Sequence, residues 1–321
     1  MRLLSVLSSL LLLPAVLGVV LPPAHARAAA AGVDCSGTSL YDRLPSKFEP
    51  SDLAFDHATS TLFVVSDSGK LGALTQVDSD NGPDAKVYVL GKQFDLEGCT
   101  LVPSRPGFVY LGNEYPAAIV EFELASSKVT RQWAVQPFFD ASTTANADTN
   151  SGLESLVFSQ TNNSLTTFYV GRQADARVFV VHVALDGQST TEPVLVGTLD
   201  PPGPGTDLSS MTIFRDFIWL LYDKPKQALA LPLAAATIPP DATGTIDDTG
   251  AASAQVGTLE FTTRGQEGLA FVELADGQKF VFVGVDPPKG KGDKDLRRYD
   301  FDTFFECFSA HGAPPAPLVT A

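Results

Sequence analysis

The chain has 321 residues, with 37 Asp and Glu against 22 Lys and Arg and a formal net charge of −15. That acidity argues against nucleic acid as a partner, since phosphate binding needs a basic face; it suits cations or basic partners. Beyond the first 26 residues the histidines are His57, His182 and His311, none beside a candidate site residue, so a Ser-His-Asp triad is poorly supported. HExxH, P-loop and dinucleotide fingerprints are absent.

Arg2 precedes an apolar run, Leu3 to Leu21, broken by Pro14 and followed by Pro22, Pro23 and the small-x-small step Ala24-His25-Ala26. This pattern reads as a secretory signal peptide over 1–26. The run is also long enough to span a bilayer, so an uncleaved anchor is the alternative. The expected organisation is a secreted, monomeric chain with one domain over 27–310 and a disordered Ala- and Pro-rich tail over 311–321. Export permits disulfides. Cys35 and Cys307 lie at the two ends of the domain, and their bond is expected to close it. Cys99, inside an apolar strand, is expected to be buried and free. Asn162-Asn163-Ser164 is a glycosylation sequon at Asn162.

From Ser51 onward one phrase recurs five times: SDLAF at 51–55, LEGCTL at 96–101, LESLVF at 153–158, LSSMTIF at 208–214 and QEGLAF at 266–271. Its anchors, Ser51, Glu97, Glu154, Ser209 and Glu267, lie 46, 57, 55 and 58 residues apart. Such a period marks a propeller or another repeat array. Each copy opens a series of short Val-, Phe- and Leu-rich runs bounded by turn residues, which read as strands. The first copy offers 53–55, 62–65, 71–77 and 86–90; the second 96–102, 109–111, 118–124 and 129–135. The third offers 153–158, 167–170, 178–185 and 194–199; the fourth 211–214, 218–221, 228–231 and 254–261. Four strands per repeat is the propeller-blade pattern. The fifth copy has only 269–272, 280–283 and 296–301, and its missing outer strand is expected from Thr38–Arg43. The fold expected is therefore an all-β, five-bladed β-propeller closed by an N-terminal strand. Six blades follow if 138–152 or 238–254 hides a degenerate one.

The anchors begin the innermost strands, so Glu97, Glu154 and Glu267, with Ser51, Asp52, Ser209 and Ser210, are expected around one mouth of the channel. Three converging carboxylates repel one another unless a cation sits between them. Ca²⁺ suits an all-oxygen set, and another divalent cation would serve. The competing reading is that these side chains bond backbone amides of neighbouring blades and seal the ring. A second set follows the second strands: Asp67, Glu114, Arg172, Asp223 and Asp286, with Lys224 beside the fourth. They would surround the first set as a polar ligand pocket, although a lone Asp after a strand is ordinarily a turn former. Arg172 and Lys224 could hold an anionic group or pair with neighbouring acids.

The motifs EPSDLAFDHATSTLFVVSDSGKL, FDLEGCTLV, SGLESLVF with FYVGRQADARVFVV, and RGQEGLAFV resemble the SdiA-regulated (YjiK-like) propeller family, which is related to the phytase-like and regucalcin/gluconolactonase-like propellers. The resemblance runs from about Phe48 to Phe301; the fourth copy, DLSSMTIFRDFIWLLYDK, diverges. It implies an exported or membrane-anchored propeller with acidic residues at the channel mouth. Two functions remain open. One is a binding or scaffold propeller whose mouth holds Ca²⁺ and a small polar ligand or an extracellular protein. The other is a divalent-metal-dependent hydrolase of an ester, lactone or phosphoester.

Overall fold

A computed structural model describes residues 33–142, 151–162, 165–185, 192–201, 205–233, 257–262, 265–287 and 293–308. The expected signal peptide, the tail over 311–321 and the segment 238–254 lie outside the described residues. Twenty strands are described. After β1 (Thr38–Ser39), the first blade comprises β2 (Pro50–Asp56), β3 (Thr61–Ser66), β4 (Lys70–Leu74) and β5 (Lys86–Val89). The second comprises β6 (Leu96–Thr100), β7 (Phe108–Asn113), β8 (Ala118–Glu123) and β9 (Lys128–Ala134). The third comprises β10 (Leu153–Asn162), β11 (Leu165–Arg172), β12 (Val178–Ala184) and β13 (Val194–Leu199). The fourth comprises β14 (Leu208–Phe214), β15 (Phe217–Tyr222), β16 (Gln227–Pro232) and β17 (Gly257–Glu260). The last is built from β18 (Gln266–Glu273), β19 (Lys279–Val285) and β20 (Asp295–Asp300) with β1 at its outer edge. Five antiparallel four-stranded sheets thus form a five-bladed β-propeller, and no sixth is needed.

The second strands explain why the repeats read as apolar runs rather than alternations. Every residue of β3 and β15 is buried, because each blade is covered on both faces by its neighbours and each strand must be apolar on both sides. The core therefore lies between blades. Tyr110 and Ile119 of the second blade pack with Leu153, Phe168 and Phe179 of the third. Trp219 and Leu221 of the fourth pack with Leu269, Phe271 and Val283 of the fifth. The inner strands approach so closely that a Cβ on Gly98 would stand 2.8 Å from the Leu156 Cβ.

The ring closes as expected, by pairing of β1 with β20. The Leu40 N–H donates to the Leu296 carbonyl at 2.7 Å, and Cys35 and Cys307 are bonded with Cα atoms 5.6 Å apart. Cys99 is buried and free. The closing strand is shorter than the expected 38–43. A single 3₁₀ turn, Tyr41–Arg43, ends it and carries the Arg43 guanidinium inward to the carbonyls of Gln76, Ser79 and Pro83. Two helices were not expected. The first, α1 (Gln136–Ala141), leaves the second blade with Pro137 in its first turn. The second, α2 (Phe301–Phe308), buries Phe304, Phe305 and Phe308 against the last two blades. Among the described residues no helix is long and apolar enough to cross a membrane.

Candidate functional site

Every inner strand breaks its ladder at the same place: between Pro50 and Asp52, Leu96 and Gly98, Leu153 and Ser155, Leu208 and Ser210, and Gln266 and Gly268. The residues skipped are Ser51, Glu97, Glu154, Ser209 and Glu267, the five anchors of the repeated phrase. A β-bulge leaves one residue unpaired and re-aims its side chain. The phrase therefore encodes a bulge, and the bulge turns three glutamates and two serines out of the regular alternation.

The three glutamates act on one another and on acids from the other blades. Burial holds Glu97 well above the usual carboxyl range, and the charges of Glu267, Asp95, Asp67 and Glu114 add to it. Burial does the same to Glu154, only 6% exposed, followed by Glu97, Glu267, Glu114 and Asp95. Glu267 is pushed up to about 8, by burial and then by Asp223, Asp286 and Asp207. Carboxylates from all five blades thus crowd one end of the channel. Some share protons. Glu114 hydrogen-bonds Asp95 and Glu154 and accepts from the Gly152 N–H at 3.3 Å; burial and Asp95 leave it at about 7. Asp67 bonds Glu49 and is likewise raised to about 7, mainly by burial. Burial also raises Asp286, although Lys294 donates to it at 3.2 Å and to Glu49 as well.

Other expected site residues take different places. Asp52 lies at the hub of the channel, fully buried. Its Oδ1 accepts from the Ser210 hydroxyl at 2.7 Å and its Oδ2 from the Cys99 N–H at 2.8 Å, tying the first blade to the fourth and second. Ser210 in turn accepts from the Leu269 N–H of the fifth blade. Asp52 is a plug, and burial raises its carboxyl well above the usual range. Ser209 is a sealing residue, donating to the Gln266 carbonyl at 2.8 Å, while Ser51 donates to the Glu49 carbonyl and accepts from the Asp67 N–H. Asp223 caps the Gly265 N–H. Lys224 is exposed and paired with Asp207.

Arg172 is turned away from the ring of acids. Its guanidinium is buried between Phe139 and Phe179, donates to the Phe139 carbonyl and Ser142 hydroxyl at 3.0 Å each, and is paired with Asp175. It pins α1 down. Strand register shows why it does not match Asp67, Glu114, Asp223 and Asp286. Arg172 pairs with Leu153, as Ser66, Asn113, Tyr222 and Val285 pair with Pro50, Leu96, Leu208 and Gln266. The residue after each of these is the rim residue, so the third blade's member is Gln173. Backbone bonds agree: the N–H groups of Glu114, Gln173, Asp223 and Asp286 donate to the carbonyls of Asp95, Gly152, Asp207 and Gly265. Those four acceptors, with Glu49, stand two residues before each anchor. Three of the five are acids that the sequence reading passed over, and the same phrase read two residues upstream would have found them. Asn162 ends β10; Asn163 and Ser164 lie outside the described residues.

Among the described residues, no three Asp, Glu, His or Cys side chains stand close enough as placed to hold one metal ion. The mouth is nonetheless an all-oxygen donor set with an excess of carboxylates over cations.

Fold and site together define a five-bladed propeller with a cluster of carboxylates at one mouth of its channel. The chain belongs to the phytase-like family, described as "Phytase-like: Esterase-like activity of phytase", whose model matches residues 49–286. The narrower SdiA-regulated assignment rests on the motifs alone. A search of curated proteins found no match. Among solved structures, the fold is similar to Myxococcus xanthus glutaminyl cyclase (15% identity, 79% of this chain and 92% of that one, TM-score 0.45). It is also similar to a Bacteroides caccae protein of unknown function (13%, 83% and 82%, TM-score 0.43). A third is Kuenenia stuttgartiensis hydrazine synthase (12%, 80% of this chain, TM-score 0.40), of whose chain this one spans 64%.

Proposed function

We propose that the acidic mouth binds a divalent cation, Ca²⁺ by the hardness of its oxygen donors, and that the protein is a metal-dependent esterase. The observation that carries this reading is the bulge repeated in all five blades, which brings Glu97, Glu154 and Glu267 under one another's charge, with no positive group among the described residues raised against Glu97 or Glu154. Three crowded glutamates, Glu154 buried and Glu97 and Glu267 half-buried, are what a hard cation relieves. The family's esterase-like description supplies the reaction class. When bound, the cation would supply Lewis acidity toward an ester carbonyl. The residues of this chain supply the proton chemistry. Glu114 and Asp67, both held at about 7, sit at the ordinary working pH of a general base, where a carboxylate can take a proton from water.

A pure binding role is the second reading, favoured by the spacing of the acids: the side chains must draw in before three of them can share one ion. The two readings separate on turnover. Calorimetric titration of chelator-treated protein with Ca²⁺, followed by a panel of 4-nitrophenyl esters and lactones, is expected to show binding and Ca²⁺-dependent hydrolysis, both weakened by Glu154→Gln. Binding without turnover would leave the second reading; no heat of Ca²⁺ binding would refute both.

A further inference from the structure

A lysine already occupies part of the acidic mouth. Lys294, the last residue before β20, donates to Asp286 of its own blade at 3.2 Å and to Glu49 of the first. Its ammonium therefore bridges the two blades that meet at the seam of the ring. Burial opposes the charge of Glu49, yet the bond from Lys294, helped by Asp67 and by Lys70 through space, holds its carboxyl below the usual range. The two acids it holds act on the three glutamates. The charge of Asp286 bears on Glu267 and on Asp67, and that of Asp67 bears on Glu97. Among the described residues one other lysine is bonded to an acid of this mouth, Lys224 with Asp207. It is placed differently: Lys224 is 59% exposed and pairs with one acid, whereas Lys294 is 28% exposed and pairs with two.

From this placement we infer that Lys294 is a tethered counter-ion of the mouth, which competes with the divalent cation and so sets the affinity of the site. The inference rests on the cation reading above and deepens it. As the side chains stand, no three acids among the described residues are close enough to share an ion, so loading must draw carboxylates inward. Asp286 is the rim acid of the blade that carries Glu267, and Lys294 holds both it and Glu49. Either acid can turn toward a metal ion only by leaving the ammonium. An ion that settles among the glutamates without them lies in the field of a positive charge one acid away. By both routes the lysine opposes binding, and neither route depends on any reaction at the bound ion.

The test is calorimetric titration of Ca²⁺ into chelator-treated wild type, Lys294→Met, Lys294→Arg and Lys224→Met at low salt, where such charges are least screened. Thermal melting without Ca²⁺ verifies that each protein is folded. Two partly exposed ion pairs are each of modest worth, so freeing both acids in Lys294→Met should tighten Ca²⁺ binding by about 10-fold. Lys294→Arg keeps the charge and should bind like wild type. Lys224→Met removes the same unit of charge from an exposed place on the rim and should leave the affinity nearly unchanged. Unchanged or weaker binding by a folded Lys294→Met protein overturns the inference while leaving the cation site standing. Equal tightening in Lys224→Met also overturns it, because net charge and not the bridge would then set the affinity. Ca²⁺ binding by none of the four proteins removes the cation reading first, and this inference with it.

Discussion

The crowding of acids at the mouth makes stability depend on pH in an unusual direction, and Glu267 allows the size to be worked out. Its carboxyl stands at about 8 in the folded protein against an ordinary 4.5. Between those values the native state holds a proton that the unfolded chain has released, so stability is greatest at the acid end and falls as pH rises toward 8. Linkage for this one group gives a loss of roughly 2.5 kcal/mol between pH 5 and pH 7. Glu267→Gln cannot ionise and removes that share. Urea denaturation in chelator at the two pH values should therefore show wild type losing more stability than the variant, with a difference on the order of 2 kcal/mol. Glu97, Glu154, Glu114 and Asp67 titrate in the same sense and add to both slopes, so only the difference between the proteins reports on Glu267. Ca²⁺ at pH 7 should restore stability to wild type by mass action on the native state. Equal pH slopes for the two proteins would refute the reasoning.

Two further outcomes bear on the framework. Asp52→Ala leaves the Ser210 hydroxyl and Cys99 N–H without their acceptor and should cost about 2–4 kcal/mol, whereas Asp52→Asn keeps one acceptor and should cost less; calorimetry should find Ca²⁺ affinity intact in both, and a large loss of affinity would place Asp52 in the cation site instead of the hub. Replacing Cys35 and Cys307 by serine opens a covalent loop spanning 272 residues, for which chain entropy gives an upper figure of about 5–6 kcal/mol, and an unchanged denaturation midpoint would show that β1 alone holds the last blade.

Much of this fold was legible because one local device, the bulge, is written the same way in every blade. The phrase that marks it carries apolar residues on both sides, since the blades stack face to face. Closure was legible for a different reason: the last copy lacks an outer strand, and a pair of cysteines brackets the domain. The site was harder to read. A bulge shifts the alternation by one, so Ser51 and Asp52 are neighbours in sequence yet one lies at the mouth and the other in the hub. In GRQ the charged middle residue drew the alignment, although register puts the amide after it at the rim. The C-terminal helix was hidden by its length. Phe301, Phe304, Phe305 and Phe308 repeat at helical spacing, but across only eight residues, next to a strand whose last residue, Asp300, joins it directly.

The seam between β1 and β20 has a consequence for what protease damage can do to the molecule. With Cys35 joined to Cys307, the domain is a covalent circle, and its peptide chain crosses from blade to blade at four connections. One cut in any of these crossings leaves every blade attached to the same loop of bonds, so a singly nicked molecule would keep its mass on a non-reducing gel and separate into two pieces only after reduction. Resistance to fragmentation is thereby vested in a single sulfur–sulfur bond at the edge of the ring.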